Sequence, residues 1–195
     1  MLAAARKQPD PLAPMTIEEF LEFTDTRPDG EKWELIEGVA VLSPSPVDVH
    51  QIIVTNIATE LMMAKRRWHA TWIPLIGIGT RVPASPNSLP QPDLFVMDRA
   101  ATGSPLTDDA LVIFEVLSRS NSRADQLWRR KVYASVPNCQ HYITVAQKTP
   151  EIVLYNRAAD WKPLAIKGLD GKLEMSALAV SLPLADIYRY TPVSA

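Results

Sequence analysis

Gln91-Pro92-Asp93-Leu94-Phe95-Val96, then Val112-Ile113-Phe114-Glu115-Val116-Leu117-Ser118, then Asp125, Arg129, Arg130, Lys131 and Tyr133: the run from Gln91 to Tyr133 decides the fold. Its first two segments have strand length and an apolar composition, and each carries one carboxylate. The third is polar and basic and reads as a helix capped by Ser122, continuing to about Ala134. A carboxylate inside an apolar strand is costly to bury unless it is paired or holds a metal. That cost marks this stretch as a place to look for chemistry.

Upstream, Thr16-Ile17-Glu18-Glu19 has the form of a capping box, with Ile17, Phe20, Leu21 and Phe23 giving a short helix its apolar face. Trp33–Ile36 and Val39–Leu42 flank Glu37-Gly38 and predict a β-hairpin. Alternation puts Glu34 on the opposite strand face from Trp33 and Leu35. From Val47 to about Arg67 the apolar spacing predicts one long amphipathic helix, with His50 in its first turns and Lys65-Arg66-Arg67 at the negative end of its dipole. Thr71–Ile73 and Ile76–Val82 are expected strands, and residues 98–109 an expected loop.

Downstream, His141–Val145, Ile152–Tyr155 and Leu164–Ile166 read as strands, the last two as a terminal meander, and Pro183–Tyr188 as a closing helix. The order predicts a mixed sheet with helices packed on it, α/β or α+β.

The chain has 195 residues, enough for one domain with a real core. We expect a mobile tail over residues 1–14 and a single domain over 15–195. Hydrophobic residues are 47% and charged residues 22%, the balance of a soluble globular protein. The net charge of -2 excludes a global basic field, so any nucleic-acid site must be local. One cysteine, Cys139, excludes a disulfide framework within the chain and suits a reducing compartment. No apolar run approaches the roughly 20 residues of a membrane span, and no convincing signal peptide opens the chain. A cytoplasmic protein is expected.

Asp93 opens one strand and Glu115 lies inside the next. Neighbouring strands could bring both side chains to one sheet face, within reach of one divalent ion. Mg²⁺ suits carboxylate oxygens, and Mn²⁺ could replace it. Asp125, Arg129 and Tyr133 share one helix face. Plainer readings stay open. Asp93 could cap a turn, Glu34 could face solvent on its hairpin, His50 could lie on a helix surface, and Arg129 could be half of a surface ion pair with Asp125. Lys65-Arg66-Arg67-Trp68 and Arg119, Arg123 and Arg130 could meet a phosphate backbone or be a solvated face. His69, His141 and Cys139 read as structural.

Gln91-Pro92-Asp93, Glu115-Val116-Leu117-Ser118, and Asp125 with a cation four residues on and Tyr133 eight on together resemble the Uma-type restriction endonuclease family of the PD-(D/E)XK nuclease superfamily. Trp33-Glu34-Leu35-Ile36-Glu37-Gly38 looks like that family's opening hairpin. Ser43-Pro44 followed by His50 looks like its entry to the long helix. Ala134-Ser135-Val136-Pro137 is similar to the segment after its active-site helix. The match spans roughly residues 15 to 190.

The resemblance implies a restriction-endonuclease-like fold, a mixed β-sheet flanked by helices with extra C-terminal strands. It implies Asp93 and Glu115 as metal ligands, Glu34 and His50 as further site members, Arg129 as the stabiliser of phosphoryl charge, and metal-dependent hydrolysis of DNA. A homodimer would suit double-strand cutting. Two departures stand out. The superfamily's lysine two residues after the glutamate is Leu117 here. The helix position to which this family moves that lysine holds Arg129, which keeps the charge but is not deprotonated in proteins. Lys131 lies two residues further on, about 200° around the helix. Other classes therefore remain: a catalytically impaired domain of this fold that binds nucleic acid or another protein, or metal-dependent phosphoester chemistry on a small substrate.

Overall fold

The structure, a computed structural model, describes residues 14–98, 100, 102–118 and 121–194. The expected tail, Pro14 apart, and Arg119 lie outside the described residues.

Thr16 caps helix α1 (Ile17–Thr24), its side chain accepting from the Glu19 N–H while Glu19 reaches back to the Thr16 N–H, so the capping box is complete. Strands β1 (Lys32–Ile36) and β2 (Val39–Ser43) then form the expected hairpin. Its two turn residues both have positive φ, +50° at Glu37 and +82° at Gly38, as a tight turn matched to strand twist requires. Helix α2 (Asp48–Trp68) is the long amphipathic helix. Next come β3 (Ile73–Leu75), β4 (Gly79–Thr80), β5 (Leu94–Met97), β6 (Leu106–Thr107) and β7 (Val112–Leu117). Helix α3 (Arg123–Ala134) follows, capped by Ser122. The chain continues through β8 (His141–Ala146), β9 (Glu151–Asn156), β10 (Pro163–Lys167), β11 (Lys172–Met175) and β12 (Val180–Pro183) to α4 (Leu184–Ile187).

Six strands form one mixed sheet in the order β10-β9-β8-β7-β5-β3. Only β7 and β8 run parallel in it, joined across α3. Side-chain alternation divides β5 and β7 between two cores. Leu94, Val96, Val112, Phe114 and Val116 pack with Ile53, Val54, Ile57 and Leu61 of α2. Phe95, Met97 and Ile113 pack with Val132 and Tyr133 of α3 on the other face. A third cluster, with Phe20, Phe23, Leu35 and Leu89, seats α1 and the hairpin against the body.

The expected strand over Ile76–Val82 shrinks to β4, because Gly77 (φ +71°) turns the chain inside that run. The expected loop over 98–109 holds β6, which pairs in parallel with β4. The expected terminal meander is present and forms the outer part of the main sheet, β9 pairing antiparallel with β8 and β10 with β9. The small β11–β12 hairpin was not expected, although Leu173, Met175, Val180 and Leu182 alternate towards the core. No described helix is long and apolar enough to cross a membrane.

Candidate active site

Register sets the centre of the site. β5 and β7 pair antiparallel with Leu94 opposite Phe114 and Phe95 opposite Ile113. One position further, the same register sets Asp93 opposite Glu115. The Val116 N–H donates to Asp93 Oδ2 at 2.9 Å, tying the start of one strand to the other.

The hairpin supplies the next residues. Leu35 bridges to Leu89, with a 2.8 Å hydrogen bond from the Leu89 N–H, and packs with Phe23 in the third cluster. That fixes the opposite face of β1, carrying Lys32 and Glu34, towards the sheet. Lys32 Nζ lies 3.0 Å from Asp93 Oδ1. Glu34 Oε1 accepts from the Gln91 N–H at 2.7 Å, and Oε2 accepts from the Ser43 hydroxyl at 3.2 Å. From α2, His50 Nε2 lies 3.1 Å from Asp93 Oδ2.

From α3, Arg129 enters the middle of these groups and is almost fully buried, 8% exposed. Its two terminal nitrogens clamp Glu34 at 3.0 and 2.9 Å. Nη1 also donates to Glu115 Oε1 at 3.0 Å, and Nε donates to Asp125 at 3.1 Å. The Tyr133 hydroxyl donates to Glu115 Oε1 at 2.8 Å. The Asp125–Arg129 pair therefore belongs to a buried network and not to the surface.

All five residues singled out in the sequence, Glu34, His50, Asp93, Glu115 and Arg129, line one cavity of about 1140 Å³. Lys32 joins them there and was missed. The signal was available: two residues before Glu34 on a strand is the same face. Lys65-Arg66-Arg67 is at the far end of α2, about 22 Å along the axis from His50. Lys65 there hydrogen-bonds the Ala70 carbonyl, a helix-end role. Arg130 lies over the Tyr155 ring.

The two central carboxyls are driven apart. Burial pushes Asp93 up, but the His50 hydrogen bond, the Lys32 charge and the Val116 N–H outweigh it and hold Asp93 down at about 2. Burial pushes Glu115 up to about 8, with the Asp93 and Glu34 charges adding to it and the Arg129 guanidinium opposing. Burial also raises Glu34, and Arg129, the Gln91 N–H and the Lys32 charge together outweigh it, leaving Glu34 below the usual carboxylate range. Lys32 loses charge stabilisation to burial but is raised on balance by Asp93, Glu115 and Glu34.

A model of the Uma2 family, described as "Putative restriction endonuclease", matches residues 17–185. The chain belongs to the Uma2 family. Among curated proteins none matches it. The crystal structure of "a putative nuclease belonging to DUF820" from Anabaena variabilis is similar in fold, with a TM-score of 0.72 and 16% identity over 90% of this chain and 98% of that one. The Uma2 assignment and this neighbour agree on a nuclease fold. Nucleases of restriction-endonuclease-like fold generally use divalent metal ions.

Such an ion can be tested against the donors of this Uma2 chain. Among the described residues no group of three or more His, Cys, Asp and Glu is disposed to hold one. Asp93 and Glu115 nonetheless offer hard oxygen donors from paired strands on one cavity wall. Glu115 receives the Arg129 and Tyr133 hydrogen bonds on the same oxygen, Oε1. Mg²⁺ is commonly held by one or two carboxylates with water completing its shell, so Asp93 and Glu115 match it in donor type, with Lys32 already on Asp93 Oδ1 and His50 and the Val116 N–H on Oδ2.

Proposed function

We propose that this chain is a Mg²⁺-dependent endonuclease hydrolysing DNA phosphodiester bonds, with Mn²⁺ as a possible substitute ion. The observation that carries this reading is the juxtaposition of Asp93 and Glu115 in one cavity, beside the buried Arg129 and the half-buried Lys32. Asp93 and Glu115 would hold the ion. Bound there, Mg²⁺ supplies a more acidic water and neutralises charge growing on the phosphoryl oxygens.

The chain's own residues divide the remaining work. Lys32 and His50 fix the Asp93 carboxylate and keep it ionised. Arg129 and Tyr133 hold Glu115 in one orientation against the sheet. Glu34 sets the Arg129 guanidinium through two hydrogen bonds and is itself anchored by the Gln91 N–H. Such support positions the groups that touch the substrate. Hydrolysis adds one water across the P–O bond, leaving a phosphate monoester and an alcohol. A chain with one site cutting both strands would work as a two-fold pair.

The test is cleavage of plasmid and single-stranded DNA with Mg²⁺ or Mn²⁺, beside EDTA and a folded Asp93→Ala control. Metal-dependent cleavage that Asp93→Ala abolishes supports the proposal. Wild type and control behaving alike on every substrate defeats it.

One observation favours a second reading, a domain of this fold acting as a nucleic-acid-binding or interaction module. The guanidinium in the family's lysine position is engaged by Glu34, Glu115 and Asp125. Cleavage that rises in Arg129→Lys identifies an impaired nuclease. A folded, inactive protein unchanged by that substitution favours the module.

A further inference from the structure

Arg129 has five N–H donors, and its contacts all run inwards, to Glu34, Glu115, Asp125 and Tyr133. A guanidinium whose three nitrogens are all engaged by these groups, and which is 8% exposed, presents little of its surface to a phosphate. A site that attacks a phosphodiester still needs a cation where charge develops.

Lys32 meets that need by position. It lines the same cavity, beside Asp93 and Glu115. Its side chain is 32% exposed, three times as much as that of Arg129 at 10%. Asp93 takes one of its hydrogen bonds, and an ammonium has three donors. Its strand is seated through the Leu35–Leu89 bridge, so the fold brings the base of the lysine stem to the cavity. A flexible stem also suits a group that must follow a reacting phosphoryl group better than a clamped fork does.

We infer that Lys32, carried on the first hairpin, is the cation that contacts the scissile phosphate, while Arg129 is a positioning residue for Glu34 and Glu115. The inference rests on the nuclease reading. It moves the site's lysine off the helix and onto a segment almost a hundred residues earlier in the chain.

The experiment compares wild type, Lys32→Gln and Lys32→Arg, each first shown to be folded by circular dichroism and thermal melting. Binding of a fluorescein-labelled DNA duplex is followed by anisotropy in EDTA across a salt series, and cleavage of the same duplex is followed with Mg²⁺. A phosphate-contacting Lys32 predicts that Lys32→Gln takes about 0.9 off the slope of log K against log salt. It also predicts that cleavage falls at least about 100-fold and that Lys32→Arg recovers most of both. A lysine that serves only as the partner of Asp93 leaves the salt slope where it was, and that result overturns the inference even if cleavage falls. Equal slopes and equal cleavage in all three proteins overturn it while leaving the nuclease reading intact. A wild type that neither binds nor cleaves the duplex overturns both.

Discussion

Asp93, one residue before β5, falls opposite Glu115 of β7 in the strand register, yet their environments push the two in opposite directions, to about 2 and about 8. Asp93 has a cation, an imidazole and a backbone N–H around it. Glu115 has the deeper burial and two neighbouring carboxylates. The pair therefore shares its charge unevenly before any ligand arrives.

That asymmetry gives two pH signatures in EDTA. Glu115 is raised from 4.5 to about 8, so the stability it contributes is full below pH 4.5 and is lost as pH rises through 8. Relative to Glu115→Gln, wild type should lose roughly 2–4 kcal/mol between pH 4.5 and 8. Asp93 is lowered from 3.8 to about 2, so its contribution is present above pH 3.8 and is lost as pH falls through 2. Asp93→Asn should lack about 2 kcal/mol of that acid-sensitive stability. Urea midpoints at a series of pH values check both, and parallel curves for wild type and variants would contradict them.

Removing the Arg129 charge leaves Glu34, Glu115 and Asp125 without their shared partner. Arg129→Met, similar in length, should therefore cost about 3–5 kcal/mol of unfolding free energy. Arg129→Lys should cost less, about 1–3 kcal/mol, because one ammonium cannot reproduce the two-pronged contact with Glu34. Denaturant titration measures both, and a Met variant as stable as wild type would show that the network contributes little.

Gly79 backs onto Leu89, the residue that bridges to the hairpin. A Cβ at position 79 would lie 2.8 Å from Leu89 Cγ. Gly79→Ala should destabilise the protein by about 1–3 kcal/mol. It should also lower cleavage by loosening the strand that carries Lys32 and Glu34. Thermal melts and initial rates test this, and full activity in a destabilised variant would separate the hairpin seat from the site.

Cys139 is buried, and desolvation pushes its thiol up to about 12. At pH 8 the thiolate fraction should be about a thousandfold below that of an ordinary cysteine. Ellman's reagent should therefore react rapidly only after denaturation, and a fast native reaction would place this residue elsewhere.

Much of this architecture could be read from local pattern. Thr16 and Glu19 announced α1, Glu37-Gly38 announced the hairpin, and the apolar spacing from Val49 to Leu61 announced α2. Asp93 and Glu115 drew attention because carboxylates in apolar strands demand partners. The partners were harder to read, because they come from distant segments. Glu34 and Arg129 are 95 residues apart and meet only through tertiary packing. Lys32 shares a strand face with Glu34 and was passed over because a lysine at a strand end usually faces water; the hairpin's seat on Leu89 turns it inwards. The short β6, β11 and β12 escaped because runs of two to four residues carry too little periodicity. Gly77 also broke a run whose composition favoured one continuous strand.

The Glu34–Arg129 clamp closes a loop spanning nearly half the chain. Contacts so far apart in sequence carry a large loop-closure entropy and form late relative to local helices and hairpins. The first hairpin and α3 can each take shape while the clamp between them is still open. In a cell, a hydrolase that attacks nucleic acid is hazardous when it is badly made. On the nuclease reading proposed above, a nascent, truncated or misfolded chain would lack the assembled centre and could not cleave.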